Sequence, residues 1–73
     1  MQSEVAKLDI LLDHTIEHSK RHVEELNNLA QKAKELSKAA VHGDIAEAAE
    51  HMNRANKILE NALKKLRGNK SSL

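Results

Sequence analysis

A repeating pattern of side chains runs along most of the chain and restricts it to a helical fold. Positions spaced by three and four residues continue without a break over residues 5–40, and a second run covers residues 45–66. Residues at this spacing share one face of an α-helix. The predicted stripe of the first helix contains Val5, Leu8, Leu12, Thr15, Ser19, His22, Leu26, Leu29, Ala33, Leu36 and Ala40, and it is widened on one flank by Ile16, Val23 and Ala30. That of the second contains Ile45, Ala48, Met52, Ala55, Leu59, Ala62 and Leu66.

The ends of the two runs contain signals for caps and a turn. Ser3 can cap the first helix, Gly43 suits the left-handed residue that follows it, and Asp44 suits the capping position before the next helix. The sequence therefore predicts an all-α, antiparallel two-helix hairpin over residues 1–68. Its helices are expected at residues 3–41 and 45–67, with a turn at 42–44. Residues 69–73 are expected to be a disordered tail.

The size of the chain indicates that the hairpin needs further stabilisation. It has 73 residues and contains no Cys and no aromatic side chain. Domains this small bury only about 60% of their unfolded surface. Because the predicted helices differ in length, the aliphatic side chains near the start of the first helix extend beyond its partner. These are Val5, Leu8, Leu11 and Leu12. We therefore expect a homodimer that forms a four-helix bundle.

A monomer is the structural alternative, in which the first helix bends back near Asn27 and Asn28. Neither residue breaks a helix strongly, so the dimer is preferred.

Composition argues against several functional classes. The formal net charge is +1, from 12 basic and 11 acidic residues, so no basic surface for nucleic acid is expected. No apolar run is long enough for a membrane span, and the first residues lack the features of a signal peptide. A soluble, cytoplasmic protein is expected. No nucleophile motif, phosphate loop or paired carboxylates stand out, and a hairpin offers little concave space, so an enzyme is not expected.

Three histidines spaced by four residues suggest metal chemistry. His14, His18 and His22 stack along one side of the first helix, and Glu25 lies one turn beyond His22. His22 is expected within the buried stripe, His18 at its edge and His14 toward solvent. The outer two rings are about 12 Å apart along the axis, so one ion can use only an i, i+4 pair. Glu25 or a second chain would complete a site for Zn, Ni or Co.

Two other interpretations of the histidines remain open. They can be polar residues on a solvated face of a structural interaction module that docks itself or a protein partner. They can also make assembly sensitive to pH, because stacked imidazolium groups repel below about pH 6. His42 is expected to cap the first helix, and His51 could join a site only across a dimer.

The segment from Leu12 to Leu66 resembles a family of small, uncharacterised helical-hairpin domains of archaea and bacteria. The likeness rests on LDHTIEHSKRHVEELNNLAQKAKEL and AAEHMNRANKILENALKKL. The resemblance implies an association with nickel, cobalt or zinc handling. It also implies a metal-related role for His14, His18 and His22, which we call the histidine ladder. Thr15 replaces the aromatic residue usual in that pattern.

The sequence therefore predicts a non-enzymatic helical protein. Its first expected function is binding of a divalent transition metal through the histidine ladder in an accessory or sensor role. The alternative is a helical dimerisation or interaction module in which the histidines are incidental.

Overall fold

Two helices form an antiparallel hairpin in the computed structural model, which describes residues 3–68. Helix α1 spans Glu4–Glu35 and helix α2 spans Ala39–Leu66. Ser3 caps α1, because its side-chain oxygen accepts a hydrogen bond from the N–H of Ala6 at 3.1 Å. The predicted all-α fold with two packed helices is confirmed. The predicted tail at 69–73 lies outside the described residues.

The turn lies earlier in the chain than the sequence predicted. It is formed by Leu36, Ser37 and Lys38 rather than by residues 42–44. Ser37 adopts a left-handed conformation with φ of 61°. The N–H of Lys38 donates to the carbonyl of Ala33 at 2.9 Å, and that of Ser37 donates to Lys34 at 3.0 Å. These two bonds are a Schellman motif in which serine occupies the position that glycine usually takes.

The prediction of the turn at Gly43 was wrong because tertiary packing outweighs the local preference of glycine. Gly43 lies inside α2, and the positions of α2 that face α1 continue in phase from half-buried His42 and Ile45 to buried Ala49. A glycine in a helix costs about 1 kcal/mol relative to alanine, which burial of an apolar face can offset. His42 therefore belongs to α2 and does not cap α1.

The buried stripe of each helix is shifted in phase from the centre of the predicted one, and in α1 it follows the flank that was expected only to widen the stripe. Ile16, Val23 and Ala30 are the best-buried apolar residues of α1, together with Ala33. Thr15, His22 and Leu29, which the prediction placed in the stripe, are exposed. We call the half-buried and buried residues between the helices the seam. It contains Leu12, Ile16, Ser19, Val23, Leu26, Ala30 and Ala33 of α1, and Ile45, Ala49, Met52, Asn56, Leu59, Leu63 and Leu66 of α2.

The helices have 32 and 28 residues, and α2 runs beside α1 from the turn to about the level of Asp9. At the open end, Arg67 forms a two-bond contact with Asp9, from Nε to Oδ2 at 2.9 Å and from Nη2 to Oδ1 at 3.0 Å. The overhang predicted for residues 5–12 is therefore too long. Because the earlier turn lengthens α2 toward the start of α1, only the part of α1 before Asp9 extends beyond Arg67. Val5, Leu8 and Leu11 nevertheless remain more than half exposed. Helix α1 is continuous through residues 27 and 28, so the bent monomer does not occur.

Candidate functional site

The two flanks of the seam differ in chemistry. On one flank, which we call the charged face, Lys20 Nζ contacts Glu60 Oε2 at 3.0 Å, and Arg67 contacts Asp9 and, at 3.9 Å, Asp13. The hydrogen bond from Arg67 lowers the pKa of Asp9 below its usual value, and the hydrogen bond to Glu60 raises the pKa of Lys20. Ion pairs thus cover the seam on this side.

The other flank, which we call the open face, is mainly apolar and histidine-rich. Helical geometry separates the two flanks. Residues of the open face come directly before seam residues in the chain, and residues of the charged face come directly after them. On α1 it contains Leu8, Leu11, Thr15, His18, His22, Glu25, Leu29, Lys32 and Leu36, all exposed. On α2 it contains Val41, Asp44, Ala48, His51, Ala55, Ile58, Ala62 and Lys65, also exposed.

Side chains of the seam are less buried on the side of the open face than on the side of the charged face. Residues on the charged side of the seam are buried, as Ile16, Val23 and Leu63 show with exposures of 2%, 6% and 6%. On the open side, the larger seam residues are only half-buried. They are Leu12, Leu26, Ile45, Met52, Leu59 and Leu66. The apolar core of the hairpin is therefore covered on one side and uncovered on the other.

A single polar side chain is buried in the seam among the described residues. Asn56 is 4% exposed, and its Nδ2 has no hydrogen-bond partner within residues 3–68. In the observed register it lies near the level of Ser19, which is half-buried. An unpaired buried amide costs about 1–3 kcal/mol. The sequence pattern missed this feature because it assigned the neighbouring Ala55 to the stripe.

The histidine ladder divides into two pairs. The rings of His14 and His18 approach to a centroid distance of 4.7 Å with an interplanar angle of 52°. His22 turns instead toward Glu25, with Nδ1 at 3.3 Å from Oε1. Both side chains of this second pair are 62% exposed, so the placement of His22 within the buried stripe was wrong. Ser19 is the one member of the predicted polar segment that enters the seam, while Thr15 donates its hydroxyl to the carbonyl of Leu11 at 2.9 Å.

A second histidine–carboxylate pair lies on α2. His51 Nε2 is 3.7 Å from Glu47 Oε2, and both side chains are well exposed. His51 lies on the same open face as His22. His42, in contrast, points its Nδ1 at the carbonyl oxygen of Ala30, 2.8 Å away, and ties the helices together beside the turn.

No described residues form a complete metal site within one chain. Across residues 3–68, no group of three or more His, Asp or Glu side chains converges closely enough to hold an ion. The predicted residues His14, His18, His22 and Glu25 are thus brought together as two pairs and not as one cluster. Each pair offers two ligands, whereas zinc sites in proteins have three or four protein ligands.

A groove of about 330 Å³ on the charged face adds no obvious chemistry. Its walls combine Ile16 and Leu63 with the side chains of the ion pairs, including Lys20, Glu60 and Arg67. Separately, neither described helix has an apolar stretch that could cross a bilayer.

Comparison with known proteins gives one match. Residues 8–66 match a family described as "Domain of unknown function (DUF8180)". No curated protein and no solved structure matches the chain. The matched range covers α1 from Leu8 onward, the turn and all of α2.

Proposed function

The chain belongs to this family of domains of unknown function, and we propose that it is a non-enzymatic interaction module that pairs with a second copy of itself into a four-helix bundle. The observation that carries the proposal is the one-sided burial of the seam. Half-buried residues such as Leu26, Met52 and Leu59 border exposed Leu29 and Ile58 on the open face. Contiguous apolar surface of this kind is typical of protein–protein interaction sites.

The size and shape of the hairpin support pairing. The chain exposes 5827 Å², whereas a compact monomer of its mass would expose about 4,500 Å². Its radius of gyration is 16.5 Å, compared with about 11 Å for a compact domain of this length. The surplus area exceeds the roughly 800 Å² that each partner contributes to a stable interface. Among residues 3–68, no large side chain is completely enclosed, so a second hairpin on the open face would complete the core.

Substitution of Leu29 by glutamate tests the self-association. Leu29 is 55% exposed in the hairpin, so Leu29→Glu should leave helix content unchanged while it places a charge at the centre of the proposed interface. We expect sedimentation equilibrium to give twice the 8.2 kDa chain mass for the wild type and a single chain mass for the variant.

Asn28→Glu provides the matched control. Asn28 is exposed and lies on the back of α1, away from the open face, so this variant should remain a dimer. A wild type that stays monomeric at high micromolar concentration would disprove the proposed function. So would equal masses for the two glutamate variants.

Binding of a divalent transition metal is a second candidate function, favoured by the 4.7 Å approach of the His14 and His18 rings. Two imidazoles at i, i+4 can ligate one ion from one helix. Zn²⁺, Ni²⁺ and Co²⁺ suit imidazole and carboxylate ligands. Titration of His14→Ala/His18→Ala with these ions tests this role, since the variant should lose binding if the pair is the site. A cytoplasmic location and association with metal handling stay predictions.

A further inference from the structure

We propose that two copies of the chain share a divalent-metal site, formed by His22 and Glu25 of one copy and by the partner's His51 and Glu47. The inference depends on the proposed pairing through the open face. Within one chain these residues form two separate His–carboxylate pairs, at 3.3 Å on α1 and at 3.7 Å on α2. Pairing brings the two half-sites together, and the two-fold symmetry makes the site occur twice in each dimer.

Size complementarity of the open face favours packing of α1 against the partner's α2. The innermost exposed positions of α1 include His22, Leu29 and Leu36, whereas those of α2 include Ala48 and Ala55. Large side chains on one helix can enter the spaces above alanines on the other, which gives even interhelical distances. If α1 packed on the partner's α1, large groups would face large groups and alanines would face alanines.

Charge complementarity points to the same arrangement. A two-fold axis parallel to the helices keeps every neighbouring pair antiparallel and keeps residues of both copies at the same height. Lys32 then lies within about one helical turn of the partner's Asp44, so opposite charges meet at the rim near the turn.

The same register places the half-sites at adjoining heights, with the partner's Glu47 one helical turn from the partner's His51 and in contact with it at 3.7 Å. The contacts of Lys20 with Glu60 and of Ala30 with His42 mark two heights along the hairpin. Glu25 lies midway between the two contact residues of α1, and His51 lies midway between those of α2. Because the axis preserves height, the partner's His51 comes level with Glu25 and within one turn of His22.

The combined donor set fits a transition metal. Two imidazoles and two carboxylates provide four ligands, the number that zinc prefers, and Ni²⁺ and Co²⁺ accept the same groups. The contacts that join each histidine to its neighbouring glutamate keep these side chains together on the exposed rim. Metal binding at such a shared site would stabilise the dimer by mass action.

Complementation between two variants tests the shared site. His22→Ala and His51→Ala should each weaken Zn²⁺ binding by at least about tenfold, since even groups behind the ligands are worth 10–100-fold. An equimolar mixture of the two, exchanged as dimers, should regain tight binding, because each mixed dimer has one intact site. The mixture should bind about a quarter as much Zn²⁺ per chain as the wild type. Half of the dimers are mixed, and one of the two sites in each mixed dimer is intact. Asn28→Ala, on the exposed back of α1, is the matched control and should bind as the wild type does.

Measurement of mass beside the titration separates the possible failures. If the wild type is a dimer but His51→Ala retains full Zn²⁺ affinity, the shared site is wrong and the pairing stands. If the mixture binds no better than its components, the ligands do not come from two chains, and the shared site is again overturned. A monomer with and without Zn²⁺ would overturn both the pairing and the site.

Discussion

Asn56 shows how a single residue can oppose the rest of the seam. Its neighbours in the buried stripe are aliphatic, yet it places an amide with an unpaired Nδ2 at 4% exposure. Such polar groups in helical interfaces lower stability and in some systems fix register and oligomeric state. Asn56 and Ser19 form a polar layer near the middle of both helices. We expect this layer to fix the register in which the two helices pair.

Replacement of Asn56 by leucine should stabilise the fold. Removal of the unpaired amide and gain of an apolar side chain should raise the free energy of unfolding by about 1–3 kcal/mol. Chemical unfolding at one fixed protein concentration measures this change. The matched control is Asn53→Leu, which makes the same replacement on the exposed charged face and should have little effect. A lower stability for Asn56→Leu would contradict the absence of a partner for the amide.

Residue-level prediction from the sequence succeeded where a local rule decides the outcome. Ser3 caps α1 as its position predicts, since capping depends only on the adjacent backbone. His22 was misplaced because a small change in phase moves a residue from the seam to its flank. The phase is set by contacts with the other helix, and these are not visible in a single helical pattern.

At the level of elements, the turn is the main departure from the sequence prediction. Serine takes the left-handed position at residue 37, while Gly43 continues α2. The existence of two helices could be predicted because long periodic segments are reliable signals. Their boundary could not, since the Schellman motif at Leu36–Lys38 contains no glycine and the more conspicuous glycine lies six residues later.

Substitution of glycine by alanine should change the stability of the hairpin in opposite directions at Gly43 and Gly68. Gly43→Ala should stabilise the hairpin by about 1 kcal/mol, because alanine favours a helix and its Cβ would meet no atom within 4 Å. Gly68→Ala should destabilise it by about 1 kcal/mol, since Gly68 follows α2 with a φ of 68°. Thermal unfolding of both variants checks the prediction. A destabilised Gly43→Ala would instead place a left-handed turn residue there.

The whole molecule is a thin, two-sided plate with extents of 54 × 28 × 12 Å. Ion pairs cover one side of the seam, and the other side leaves half-buried aliphatic residues next to exposed ones. The sequence predicts a dimer from a long overhang, which the structure reduces to the start of α1 before Asp9. The open face gives a different reason for the same proposal, because it extends along the whole hairpin and requires no mismatch in helix length.

The proposed two-fold axis predicts where the turns of the two copies lie. With the axis parallel to the helices, both turns are at the same end of the bundle. Lys38→Cys, in a chain without other cysteines, should therefore be joined between copies by a thiol cross-linker much shorter than the 54 Å length of the hairpin. Asn53→Cys, on the charged face, should not cross-link. Efficient cross-linking of Asn53→Cys but not of Lys38→Cys would exclude this arrangement.

The three-residue turn also has a kinetic consequence. Residues beside it, such as Ala30 and His42, are close in sequence, so their contact forms with little loss of chain entropy. Asp9 and Arg67 are separated by most of the chain and can meet only after the intervening levels have formed. We therefore expect the hairpin to fold like a zipper from the turn, and rapidly, as do other helical proteins with local contacts. The end where Asp9 meets Arg67 would be the last to close and the first to fray.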